Sequence, residues 1–145
     1  SMEPTETQDD FEFDIDEQNF INAWNALAVR NHMAMRANGF WDNRDAIMNA
    51  AEAAGGSELR KVAQGLVESQ IREHIISEIS EACEGGRGDL MDDKLPDLKM
   101  KVVEIGDAII RSMDYDAGFE LRVAEAIVRK MRHNRKRPYR HGKLS

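Results

Sequence analysis

The stretch PDLKMKVVEIGDAIIRSM, residues 96–113, decides the fold class. Leu98, Val102, Ile105, Ile109 and Met113 fall at i, i+4, i+7, i+11 and i+15. That spacing is close to a 3.6-residue period, so it predicts an amphipathic helix with one apolar stripe. Pro96 is tolerated in a first helical turn, and the predicted helix opens there and reaches about Met113. The stripe is the face expected to join a core. Glu104 and Asp107 fall with Met100 and Arg111 on the opposite face of the helical wheel, where a solvated surface is the simplest reading.

The flanking sequence repeats the pattern. Strand-like alternation is scarce, and Ala, Met, Glu, Leu and Arg are plentiful. A first helix is predicted from Glu17 to Ala37, closed by Asn38-Gly39. A short helix follows from Asp42 or Asn43 to Ala54 and stops at Gly55-Gly56. Ser57 caps a long helix through about Glu84, which ends in the loop of Gly85, Gly86 and Gly88. Residues 114–118 (Asp114-Tyr115-Asp116-Ala117-Gly118) read as a helix-ending turn without the later Glu of a calcium loop. A last helix begins at Asp116 or Gly118 and reaches His133 or Asn134, with Phe119 or Leu121, Ala124, Ile127, Val128 and Met131 on its stripe. The expectation is an all-α bundle of four to five helices. Residues 1–16 form an acidic flexible tail, 17–135 the helical domain and 136–145 a basic tail. Aliphatic, Met-rich faces on both sides of the helices predict a core completed by self-association.

Composition narrows the function classes. The chain of 145 residues has a formal charge of −7, unevenly spread. Eight acids lie within 3–17, and eight bases with no acid lie within 129–143. An acidic protein with one basic end is a poor general nucleic-acid binder, yet that end could hold a compact polyanion. No apolar run approaches the ~18–20 residues of a membrane span. Ser1 before Met2 reads as a cloning remnant, and no charged-then-apolar leader opens the chain. Cys83 is the single cysteine, read as a small core residue, and a lone cysteine suits a reducing, cytosolic setting.

Two acidic pairs carry the chemistry. Glu78 and Glu81 stand three apart on the long helix, and Glu104 and Asp107 three apart on the next. Each pair therefore shares a face, and adjacent antiparallel helices can bring the pairs together. Four carboxylates without Cys or His partners suit Mg²⁺ or Mn²⁺ and not zinc. The alternative is a pair of solvated helix faces. Against it stands the ladder Val67, Ile71, His74, Glu78, Glu81, an apolar stripe that leads into two acids. A buried carboxylate is costly unless paired or metal-bound. His74 on that ladder is read as a hydrogen-bond partner of a metal ligand.

Ser77-Glu78-Ile79-Ser80-Glu81, then 22 residues, then Glu104-Ile105-Gly106-Asp107, resembles the ExxE…ExxD signature of the all-α nucleotide pyrophosphohydrolases, the superfamily of MazG and the dimeric dUTPases. Gly39-Phe40-Trp41-Asp42, residues 75–82 and residues 130–143 are similar to the compact single-domain MazG-like branch of bacteria and phages. The likeness spans roughly residues 20–143. It implies cleavage of a nucleoside triphosphate, (d)NTP, to the monophosphate and pyrophosphate in the cytoplasm of a bacterium or a phage-infected host. It also implies a homodimer or homotetramer. The implied metal ligands are Glu78, Glu81, Glu104 and Asp107, with Mg²⁺ or alternatively Mn²⁺ as cofactor. The implied phosphate-binding residues are Lys130, Asn134 and Arg137, with Arg135 and Tyr139 beside them.

The chain departs from the family pattern at one position. Where much of the superfamily has a Glu directly before the first ligand, this chain has Ser77, a hydroxyl that cannot act as a base near pH 7. Glu81 or Glu84 is left to activate water, or a second metal. Trp41 reads either as a platform for a base or as an anchor of the bundle. The rival function is a non-enzymatic helical dimer that binds polyanions through its basic C-terminus. A four-helix carboxylate protein binding iron or manganese is disfavoured because no Glu-x-x-His pair occurs.

Overall fold

The computed structural model describes residues 12–139, without the side chains of 85–87. Much of the expected acidic tail and the last six residues of the basic tail lie outside the described residues. The chain is all-α: 81% of the described residues are helical, and no strand forms among them. The helices are α1 (Ile15–Ala37), α2 (Asp42–Gly88), α3 (Met100–Phe119) and α4 (Val123–Arg135). No helix among the described residues is long and apolar enough to cross a membrane.

The described residues divide into two compact units. One joins the residues up to Ala26 with those from Arg122 onward, and the other is Leu27–Leu121. In the first unit, α1 starts at a reciprocal cap. The Glu17 N–H donates to Asp14 Oδ1 at 2.8 Å, and the Asp14 N–H donates to Glu17 Oε1 at 2.9 Å. This capping box satisfies two otherwise orphaned N–H groups and places the helix start two residues ahead of the expected Glu17. Ile21, Ala124 and Val128 form the buried cluster of this unit, with Phe13 and Trp24 packed on it. Arg132 clamps the cap by donating to Glu17 Oε1 at 2.6 Å.

The second unit holds the end of α1, all of α2 and α3. Gly39 turns left-handed at φ 84°, and the Phe40 N–H reaches back to the Met35 carbonyl, closing α1 where Asn38-Gly39 predicts. At Gly55-Gly56 α2 leaves helical geometry, with Gly56 at φ 70° and ψ −161°. Only glycine takes that conformation without strain, so the expected stop is a sharp break between two helical arms. The second arm continues to Gly88, past the expected end at Glu84. A glycine costs a helix only about 1 kcal/mol.

Two boundaries of α3 correct the sequence reading. Pro96 does not open it. Asp92 Oδ2 accepts the N–H groups of Lys94 at 3.0 Å and Leu95 at 2.8 Å, and the Met100 N–H donates to the Leu90 carbonyl at 2.8 Å. This closed turn holds Pro96, and the helix begins at Met100. At the other end, residues 114–118 are helix and not a turn. The chain leaves α3 at Glu120 (φ 53°), and α4 starts at Val123 instead of Asp116 or Gly118.

The reason lies in Asp114, which is buried and fully engaged. It accepts the Trp41 indole N–H at 3.0 and 3.1 Å and pairs with His32 Nδ1 at 2.7 Å. An Asp with these donors is stable inside a helix. Trp41 is 1% exposed and sits in the cluster of Met48, Ala63, Val67 and Ile71. Gly118 faces its ring closely enough that any Cβ there would overlap the indole. Of the two readings of Trp41, the packing shows the anchor. Arg36 and Arg44 lie 5.1 and 4.8 Å from its ring centroid.

The largest correction concerns the orientation of α3. The stripe expected in the core is about half exposed: Leu98 41%, Val102 54%, Ile105 48% and Ile109 44%. Glu104, from the face expected in solvent, is 9% exposed. The helix has turned its acids inward, toward α2.

Candidate metal centre

Glu78 on α2 and Glu104 and Asp107 on α3 each bring a carboxylate oxygen within 4.8 Å of the others. The antiparallel pairing expected of the two acidic pairs thus delivers three of its four carboxylates to one point. Oxygens on opposite sides of a Mg²⁺ lie about 4.2 Å apart, so small side-chain rotations would close this group on an ion. Glu81, the fourth expected ligand, lines the same cavity but is not one of the three. Glu84 is exposed and outside the wall. His74 is exposed and makes no hydrogen bond to the acids, and Cys83 is exposed, contrary to its expected place in the core.

The cluster is electrostatically unsettled. Burial, followed by contact with the Glu78 and Glu81 carboxylates and by the charge of Asp107, pushes the Glu104 carboxyl up to about 7. Its Oε2 is buried and has no hydrogen-bond partner. Asp107 is raised by burial and then by the charge of Glu78. Burial alone would also raise Glu78. Hydrogen bonds from Arg111 and Glu104, with the charge of Arg111, outweigh burial and hold it below the usual carboxylate value. Arg111 Nε donates to Glu78 Oε1 at 2.7 Å. A cation can satisfy this donor set, because it would supply the Glu104 oxygen with a partner and neutralise the mutual repulsion.

A cavity of about 410 Å³ opens on the acids. Asn31, Met35 and Phe40 form one part of its wall, and Lys94 and Arg111 bring positive charge to it. Sequence reasoning missed Lys94 and Asn31. Lys94 comes from a loop whose closure depends on Asp92, and no spacing marks it. Arg111 was legible only as a residue one turn beyond Asp107.

The expected phosphate-binding residues Lys130 and Asn134 lie on α4, and Arg135 ends it. Arg137 and Tyr139 follow, and all five are exposed. They belong to the first unit, whereas the three carboxylates and the cavity belong to the second. Compared with protein-family models, with curated proteins and with solved structures, the chain matches none.

Proposed function

We propose that this chain is a Mg²⁺- or Mn²⁺-dependent nucleoside triphosphate pyrophosphohydrolase that releases a nucleoside monophosphate and pyrophosphate. One observation carries the reading: Glu104, buried with an unpartnered oxygen, stands among Glu78 and Asp107 at a distance a divalent ion could bridge. A purely structural helix face has no reason to turn carboxylates inward and branched aliphatics outward. The all-oxygen donor set favours a hard cation. The ExxE…ExxD order of these residues and their resemblance to MazG-like enzymes supply the reaction class.

Glu78, Glu104 and Asp107 would hold the ion. When bound, it would neutralise phosphate charge and acidify a coordinated water. Glu81 is the carboxylate on the cavity wall left to accept the proton of the attacking water, in place of the family Glu replaced by Ser77. Lys94 and Arg111 offer positive charge to the phosphates. The test is a panel of dNTPs and NTPs with Mg²⁺, scored for pyrophosphate. Release from at least one substrate, abolished by chelation, is expected. No release from any member, together with salt-dependent polyanion binding, would favour the interaction module instead.

The same reading assigns the outward stripe of α3, with Leu98 just ahead of it, to a second copy of the chain. Leaving a branched aliphatic half exposed forgoes roughly 1 kcal/mol. Leu98, Val102, Ile105 and Ile109 do so in a row. Light scattering is expected to give a multiple of the 16.5 kDa chain mass. A single-chain mass at micromolar concentration would remove the self-association.

A further inference from the structure

The metal reading leaves Arg111 unexplained. Its Nε holds Glu78 Oε1 at 2.7 Å, on one of the three carboxylates a cation would need. The Glu78 side chain is 12% exposed and fixed within the cleft, whereas that of Arg111 is 41% exposed. An ion pair with so wet a partner adds little to stability, on the order of 1 kcal/mol or less. Arg111 spends one N–H on this pair, and its two terminal amino groups make no hydrogen bond among the described residues while it lines the cavity. It lies one helical turn beyond Asp107, on the acidic face of α3.

Resting on the proposed metal-dependent reading, we propose that Arg111 is an exchangeable counter-cation. It keeps the Glu78 carboxylate oriented while no metal is bound, yields it to the divalent ion, and then turns its guanidinium to the phosphates of the substrate. Two physical facts favour the exchange. A guanidinium and a divalent cation on one carboxylate repel each other at short range, where the screening of the cleft is weaker than in bulk water. The planar fork of an arginine also matches a phosphate in two-point contact, which a single Nε–H to Glu78 leaves unused. A rotation of exposed side-chain bonds suffices, with no backbone movement. Lys94, on the same wall, is the second cation for the anion, and its charge already acts on Asp107.

Mn²⁺ binding followed by electron paramagnetic resonance, without nucleotide, separates this role from a structural one. Arg111→Gln is expected to bind Mn²⁺ about tenfold more tightly than the natural chain, because the ion no longer displaces a charge-assisted hydrogen bond. With Mn²⁺ present, the same variant is expected to bind an α,β-methylene nucleoside triphosphate about tenfold more weakly. Arg111→Lys, which keeps the charge and loses the fork, is expected to fall between the two on both measures. It carries the test if the Gln variant does not fold. Unchanged or weaker Mn²⁺ binding by both variants would overturn the exchange, as would analogue binding equal to that of the natural chain. If the natural chain and both variants all fail to bind Mn²⁺, the carboxylate site itself is refuted, an outcome distinct from a failure of Arg111 alone.

Discussion

Asp107→Asn and Glu78→Gln are each expected to lower pyrophosphate release with Mg²⁺ by at least about 100-fold, since even outer partners of metal ligands cost 10–100-fold when removed. Both replacements keep side-chain volume and remove only charge, so the helices should remain. The two should differ in stability. Asp107 is held in its site against burial and against the charge of Glu78. Neutralising it is expected to raise the unfolding midpoint of the metal-free protein, the mark of a group kept for activity at a cost to the fold. Glu78→Gln leaves Arg111 without its carboxylate and gains less. Steady-state turnover together with thermal melts of the metal-free chains checks both parts. Turnover near that of the natural chain in either variant would show that the residue does not hold a catalytic ion.

The second large effect is on stability against pH. Burial and the neighbouring carboxylates push the Glu104 carboxyl from its ordinary 4.5 up to about 7 in the folded chain. Between those values the folded chain binds more protons than the unfolded one, so stability falls as pH rises through this window. The shift sets an upper limit of about 3 kcal/mol, which the water in the cleft reduces. Asp107 is raised as well and adds in the same direction at lower pH. Glu78 is depressed and works oppositely, its stabilisation being lost as pH falls below the ordinary carboxylate range. The metal-free protein is therefore expected to melt at a lower temperature at pH 8 than at pH 5.5. Glu104→Gln should remove most of that difference, and Mn²⁺ at pH 8 should restore the natural chain. A flat profile from pH 5.5 to 8, equal in the natural chain and in Glu104→Gln, would contradict the electrostatics given for the cleft.

The sequence made the helices legible because their punctuation is local. Asn38-Gly39 and Gly55-Gly56 break the chain where their backbone freedom allows, and the structure stops or kinks there. The start and end of α3 were not legible, since both are set by distant or side-chain partners. Asp92 folds Pro96 into a turn, and Trp41 with His32 keeps Asp114 inside a helix. The orientation of α3 was misread for a related reason. Hydrophobic periodicity marks an apolar face, but it does not fix that face toward this chain's own core. Spacing alone allowed Glu78, Glu104 and Asp107 to share an ion. The depth of Glu104 and the contact of Arg111 with Glu78 needed coordinates, because neither follows from the spacing on one helix.

Anomalous diffraction from crystals grown with Mn²⁺ bears most directly on the central claim. The account predicts a peak bounded by the carboxylates of Glu78, Glu104 and Asp107, with the Arg111 guanidinium turned away from Glu78. Manganese bound only elsewhere, with the Arg111 bond to Glu78 intact and Glu104 still unpartnered, would contradict it.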